Sequence, residues 1–532
     1  MSKAHQTKGG TLSGKVSGVD VVVKDAGLPS ELSQVPSFEE EGSVLPPPPV
    51  LTPQEEARLW RKVDRHIMPI LTMMYLFSFV DRGNIGNAKL QGLVTQLDLT
   101  GSRYNAALSF FFLSYNVGSI PANLVLKKFR PSRVLPTITI LWGIVMCLMG
   151  LVKNYSQLVA VRVCLGAAET GLASGAFYYL SMWYPRHMIQ MRFGIFWSGA
   201  TLAGAFTGLV AFGISFMSGT AGLLGWSWIF IIEGMATVVV GVVACFVFVD
   251  FPDTARFLTP EERAFVVNRM KFDNSTVGED EHFALRHIWE ALLDWQVWAL
   301  GLLNMAVIMP VDGISYFLPW VFAVLSPRRC ADMNGQSSII NGFGFNTTTS
   351  QLLTVPPYIV AIVMVMVWSI WSDRIKRRSP FLFSGLLLCL VGFAINITNA
   401  PIGVKYFGTY LIVIGGYAAH PAIIAWLTNN LAGHYKRAVG IAFQGIFGNT
   451  GGLIASNMFR SQDAPRYITG HGAEMGFVGM GLVLVPIVVF AYTRANMKKE
   501  AKMREAEDRG EKYAPEELKR LGDRAPDFRY TL

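Results

Sequence analysis

The chain is poor in charge and in cysteine. Only 16% of its 532 residues are Asp, Glu, Lys or Arg, where a soluble domain carries about 25%, so an ordinary water-soluble globule is excluded. Cys147, Cys164, Cys245, Cys330 and Cys389 show no paired spacing, so neither a metal site nor a disulfide framework is expected. No Gly-x4-Gly-Lys-Ser/Thr string occurs, and without that phosphate loop an ATP motor is excluded and no cofactor is expected. No cleavable signal peptide is expected either. The first 65 residues are polar, contain the run Pro46–Pro49, and read as a disordered tail.

Apolar residues are what the chain has in excess. They make up 52% of the sequence, and the mean hydropathy is +0.37. They fall into blocks of about 20 residues, the length of a membrane-crossing helix. Twelve spans are predicted, near 67–87, 105–125, 133–152, 157–181, 193–217, 226–249, 297–322, 350–371, 380–398, 405–429, 437–458 and 474–494. The fold class is therefore all-α integral membrane, with twelve transmembrane helices in two six-helix bundles. The bundles span 66–250 and 291–497. A polar linker, 251–290, joins them, and a tail, 498–532, follows. The linker holds a helix start, with Thr259 as N-cap and Pro260 after it.

The net charge of +9 follows membrane topology and does not argue for nucleic acid. Lys127, Lys128, Arg130, Arg133, Arg186, Arg192, Arg374, Lys376, Arg377, Arg378, Lys436 and Arg437 crowd the loops of one face. The positive-inside rule puts that face and both termini in the cytoplasm. A plasma-membrane, multi-pass monomer in the lipid bilayer is expected. Asn154 and Asn346 stand in Asn-x-Ser/Thr sequons on the predicted outer face, which makes them glycosylation candidates.

Charged residues at membrane depth cost several kcal/mol and rarely persist there without a task. Asp81 and Arg82 close the apolar stretch from Ile67 to Val80, and Arg162 and Glu169 occupy another apolar helix. Seven residues are two helical turns, so Arg162 and Glu169 share a face, about 10 Å apart along the axis. Asp81 and Arg82 point about 100° apart, so one faces a neighbouring helix and the other the bundle interior, in either order. Arginine holds a carboxylate bidentately and keeps its charge, and proton coupling needs an acid whose burial favours its protonated form. Static pairing, of Arg82 with Asp81 or of Arg162 with Glu169, is the competing reading. Tyr115, Asn116, Asp312, His420, Gln444 and Asn449 are further cavity candidates, each competing with an interhelical hydrogen bond. Glu233 reads as packing. Trp142, Trp197 and Trp426 are candidate stacking surfaces for a flat ring or ordinary interfacial aromatics.

A basic turn follows the second span of each half, LysLysPheArgProSerArg at 127–133 and SerAspArgIleLysArgArgSerPro at 372–380. With two six-span halves, this resembles the major facilitator superfamily, whose substrate sites lie between halves that rock. The strings AspArgGlyAsnIleGlyAsnAlaLys (81–89), TrpLeuThrAsnAsnLeuAlaGlyHisTyrLysArgAlaValGly (426–440), GlyAsnThrGlyGly (448–452) and AspPheArgTyrThrLeu (527–532) look like those of the fungal anion:cation symporters, the allantoate and nicotinate permease group. The resemblance covers about residues 55–532. It implies proton-coupled symport of a small organic anion, a carboxylate of nicotinate, pantothenate or allantoate type. It assigns proton coupling to Asp81 and Glu169, and substrate or gating contacts to Arg82 and Arg162. Export of an acidic secondary metabolite on the same fold is the alternative. A non-transporting nutrient sensor is a third reading, disfavoured by the short charged C-terminal tail.

The chain departs from that family at 320–337, about eighteen residues that come between a PheLeuPro (317–319) and an IleIleAsnGlyPheGlyPhe (339–345). They read as a retained intron in the gene model or as a real extra loop. Sequencing the spliced transcript decides between them: a retained intron predicts a message lacking these codons, and a message containing them refutes it.

Overall fold

The structure is a computed structural model. It describes residues 49, 51–99, 103–273, 285–324, 353, 355–458, 468–510, 513–514, 517–518 and 521–532. Among these the regular structure is helical throughout. Cys330, Asn346 and 325–337 of the insertion lie outside the described residues; 320–324 belong to a helix.

The first bundle contains α1 (Pro53–Leu90), a single turn α2 (Leu93–Gln96), α3 (Arg103–Lys128), α4 (Pro131–Met149), α5 (Tyr155–Glu169), α6 (Leu172–Trp183), α7 (Ile189–Ser215) and α8 (Gly225–Val247). Two short helices follow in the linker, α9 (Pro260–Asp273) and α10 (Leu285–Leu292). The second bundle contains α11 (Trp295–Val324), α12 (Val355–Ile375), α13 (Ser379–Ile397), α14 (Ile402–Asn430), α15 (His434–Met458) and α16 (Ile468–Asp508). Eleven spans among the described residues are long and apolar enough to cross a membrane, α5 and α6 together forming one. The remaining long helix, α1, packs on α7 and α8 in the same bundle; Asp81 and Arg82 interrupt its apolar run. The halves meet chiefly where α3 packs on α15 and α7 packs on α12 and α14.

Three boundaries differ from the sequence expectation. Composition extends the N-terminal tail to residue 65, but α1 starts at Pro53. Thr52 and Glu55 form a reciprocal capping box, which satisfies two otherwise orphan N–H groups. The polar first turns then find partners in the linker and the bundle. Lys62 pairs with Glu262 at 2.6 Å, Asp64 pairs with Arg192 at 2.8 Å, and Leu59, Trp60 and Val63 are buried. The fourth span is broken, because Gly171 adopts φ +86°. A Cβ there would also lie 2.5 Å from the Ala122 Cβ, so glycine meets both a left-handed backbone and a close helix approach. The last helix runs to Asp508, and residues 521–532 pack back onto the second bundle, with Asp523, Ala525 and Phe528 buried.

Replacing Gly171 with leucine should therefore remove most correctly folded protein, read as loss of the monodisperse peak in detergent. At Gly213, inside α7, an added Cβ would meet nothing within 4 Å, so Gly213→Leu should leave that peak intact.

Candidate functional site

A small cavity of about 60 Å³ lies between the bundles, and the space around it is partly open to solvent. From the first bundle, Tyr75, Phe79 and Arg82 of α1, Tyr115 of α3, Phe177 of α6 and Trp197 of α7 line it. The second bundle contributes Asn304 and Asp312 of α11, His420 of α14 and Asn449 of α15. It is a mostly apolar and aromatic pocket with a few convergent polar groups, the usual character of a small-ligand site.

Arg82 is the cation of that wall. Its Nε donates to Glu169 Oε1 at 2.7 Å, and Ser78 Oγ donates to the same oxygen at 2.5 Å. The guanidinium sits among three rings, with Cζ 4.8 Å from the Tyr115 centroid, 5.5 Å from Phe111 and 5.7 Å from Phe79. Its Nη2 is buried and has no hydrogen-bond partner among the described residues. Arginine in this setting keeps one edge on the carboxylate and leaves donors for an anion in the cavity.

The helix break explains why Glu169 points across to α1. Glu169 is the last residue of α5, so its side chain emerges where the chain turns through Thr170 and Gly171. Thr170 Oγ1 donates to the Tyr115 backbone carbonyl at 2.7 Å and fixes that turn on α3. A carboxylate at a helix C-terminus meets the negative end of the helix dipole, an unfavourable contact of about 0.3–1 kcal/mol. Arg82 offsets it.

Asp81 faces the other way. It is fully buried, and its Oδ2 accepts Trp142 Nε1 at 2.8 Å and Thr237 Oγ1 at 3.1 Å. These bonds tie α1 to α4 and α8, and they decide the orientation that adjacency alone left open: Arg82 takes the cavity, Asp81 the bundle interior. Arg162 is buried as well, and neither it nor Asp81 is among the cavity-lining residues. The shared face of Arg162 and Glu169 thus does not bring both to the cavity wall.

The other candidates divide. Tyr115, His420, Asn449 and Asp312 line the cavity. The His420 ring stacks on Trp197 with centroids 3.6 Å apart. The Asp312 carboxylate packs against Gly452 of α15, where a Cβ would overlap its Oδ2. Asn116 and Gln444 are absent from the lining. Asn116 donates to Thr450 Oγ1 at 3.3 Å across the halves, and Gln444 Nε2 donates to the Leu300 and Ile423 carbonyls at 3.3 and 3.2 Å. Both are interhelical ties. Asn154 is exposed, and its side chain caps α5 by accepting Gln157 N at 2.9 Å. Trp142 and Trp426 are spent on Asp81 and on the Thr531 carbonyl, leaving Trp197 at the cavity.

Sequence reasoning passed over Asn304 and Glu474. Asn304 lines the cavity and donates to the Gln444 carbonyl at 2.9 Å. Glu474 is fully buried against Gly313, the neighbour of Asp312, and neither of its oxygens has a hydrogen-bond partner among the described residues. A lone acid at the start of the last apolar block was the available signal.

Residues 71–456 match the Major Facilitator Superfamily. The chain belongs to that superfamily. It is a transporter by fold and relationship, not an enzyme, and it is 32% identical over 477 residues to the high-affinity nicotinic acid transporter of Saccharomyces cerevisiae, covering 89% of this chain and 85% of that protein. It is 32% identical to the MFS-type transporter cnsO of Penicillium expansum, covering 89% of this chain and 90% of that one. Among solved structures, the proton:xylose symporter XylE superposes with a TM-score of 0.58 at 13% identity, covering 82% of this chain and 96% of XylE. At that identity the match speaks to fold: this chain has the major facilitator architecture.

The site geometry makes a prediction about Asp81. Asp81→Asn keeps an oxygen for Trp142 and should leave transport and its pH dependence within about twofold of wild type. Asp81→Leu strands the Trp142 donor, at a cost of about 1–3 kcal/mol, and should lower the thermal midpoint in detergent. Loss of pH dependence in Asp81→Asn would show that Asp81 carries the coupled proton.

Proposed function

We propose that the protein imports a small organic anion together with protons across the plasma membrane, and that the Arg82–Glu169 pair couples the two. The observation that carries this reading is the ion pair at the cavity wall: one partner lines the cavity and the other is sealed behind it. With Glu169 ionised, Arg82 is neutralised from within. When Glu169 takes a proton, the pair loses its charge-assisted bond, roughly half of its strength. Arg82 then turns its guanidinium charge to a substrate carboxylate in the cavity. Release of the anion restores the pair and expels the proton. Anion and proton therefore bind together, which is symport.

Wall chemistry supports a carboxylate carried on a small body. The rings of Tyr75, Phe79, Trp197 and His420 present apolar faces, and Asp312 and Asn304 offer polar contacts on the opposite bundle. The relationship to the nicotinic acid transporter favours a monocarboxylate of nicotinate or pantothenate type.

Uptake of labelled nicotinate, pantothenate and allantoate into permease-deficient yeast tests the reading at acidic and neutral external pH. Faster uptake in acid is expected for at least one of them. No uptake of any, with outward movement of a loaded acid, would favour export. Glu169→Gln should abolish pH-driven accumulation while counterflow exchange persists, and Arg82→Lys should raise KM by about 10-fold or more, because a point charge replaces a bidentate donor. Full accumulation in Glu169→Gln would refute its role.

A further inference from the structure

The last twelve residues make contacts that a passive tail does not need. Each of the final three is held through its backbone. Tyr530 N donates to Asn496 Oδ1 and Asn496 Nδ2 donates to the Tyr530 carbonyl, both at 2.9 Å. Thr531 N donates to Asn430 Oδ1 at 2.7 Å, and its carbonyl accepts Asn430 Nδ2 at 3.0 Å and Trp426 Nε1 at 2.8 Å. A backbone oxygen of Leu532 accepts Arg378 N at 2.6 Å. Upstream, Asp523 pairs with Lys436 at 2.6 Å. The segment is thereby anchored to α14, α15, α16 and the turn before α13, all of the second bundle.

Phe528 then reaches the first bundle. It is 1% exposed, and the Arg186 guanidinium lies 4.4 Å from its ring centroid. Arg186 belongs to the turn between α6 and α7, and that turn is one of the places where the two bundles are joined, another being Asn123 of α3, which donates to the Ala438 carbonyl at 2.9 Å. The Arg186 carbonyl accepts Arg378 Nη2 at 2.8 Å and Asn429 Nδ2 at 3.2 Å. Beside it, Gln190 Oε1 accepts Ser372 Oγ at 2.6 Å, and Met191 N donates to Asp373 Oδ2 at 2.8 Å. Rocking the bundles apart on the basic-turn face must break this set, and with it the contact of Arg186 with Phe528.

We infer that residues 521–532 are a strap which holds the gate on the basic-turn face shut: anchored on the second bundle, it grips Arg186 of the first through Phe528, and so sets how often that gate opens. The inference rests on the transporter reading for its consequence, but its contacts do not depend on the substrate. The Phe528 ring also lies 5.0 Å from Lys499 Nζ and 5.4 Å from the Tyr530 ring, so Arg186 is the partner whose change touches the grip and leaves the backbone bonds of 530–532 in place.

The test uses the full chain with a reporter cysteine in the cavity, Gly445→Cys, a lining position with nothing within 4 Å of an added Cβ. Labelling by a membrane-impermeant maleimide is measured in inside-out vesicles, which expose the basic-turn face. The parent without the reporter sets the background. Phe528→Leu keeps an apolar side chain in the pocket and removes the ring face, and Arg186→Lys weakens the partner without removing its charge. Each should speed labelling by about threefold to thirtyfold, the range a cation–π contact spans. The double variant should be no faster than Phe528→Leu alone, since the Arg186 change acts on the strap only through the Phe528 ring. Unchanged labelling in both singles overturns the strap, and so do effects that multiply in the double variant. Should Phe528→Leu fail to reach the membrane, Arg186→Lys decides alone. Faster labelling in a chain that transports none of the tested acids would keep the strap and overturn the transport reading instead.

Discussion

The centre of this molecule is arranged around one ion pair, the half-buried Arg82 at the cavity wall with the fully buried Glu169. In a medium without water, a carboxylate and a guanidinium are each costly, and removing one partner of such a pair leaves a stranded charge worth about 3–5 kcal/mol. The bundle must therefore supply a position where the two meet at 2.7 Å, and one of them must still face the cavity. Two features provide this. The break at Thr170–Gly171 ends α5 at Glu169 and aims its side chain at α1. The bonds from Trp142 and Thr237 to Asp81 fix the rotation of α1 about its axis, so that Arg82 and not Asp81 turns inward. Three aromatic rings then hold the guanidinium where the carboxylate holds its other edge.

The pair also gives a reason for the rest of the cavity wall. Arg82 comes from the first bundle, while Asp312, Asn304 and Asn449 come from the second. A ligand held by both walls is held by both halves, so its binding bears directly on their relative motion. On the basic-turn face the same two halves are joined by Arg378, Asp373, Asn429 and Gln190 around the Arg186 turn, and the Phe528 ring packs on the Arg186 guanidinium. Binding chemistry and gate chemistry thus sit on one axis, the seam between the bundles.

Much of this was legible in the sequence. Apolar blocks of helix length gave the spans and their division into halves, and charge at membrane depth singled out Asp81, Arg82, Arg162 and Glu169. Local periodicity did not reveal who pairs with whom. The seven-residue spacing put Arg162 and Glu169 on one face, yet Glu169 is bonded to a helix some ninety positions earlier, because a single left-handed glycine ends its helix. Asn116 and Gln444 read as cavity candidates because a polar residue in an apolar span carries no label saying whether its partner is a ligand or another helix. The start of α1 escaped because its capping box, Thr52–Glu55, lies in a stretch whose polar composition resembles the tail before it. The packing of 521–532 had no local signal, since it consists of backbone bonds to asparagines far back in the chain, Asn430 and Asn496.

The central claim is that the proton on Glu169 and the anion on Arg82 are thermodynamically linked. The most direct measurement is the affinity of the purified protein for nicotinate and pantothenate as a function of pH. Linkage through Glu169 predicts that the affinity of a bound acid rises as pH falls, by up to about tenfold per pH unit where one proton is taken up with the anion. In Glu169→Gln the same affinity should be flat with pH. An equally steep pH dependence in wild type and in Glu169→Gln would contradict the account.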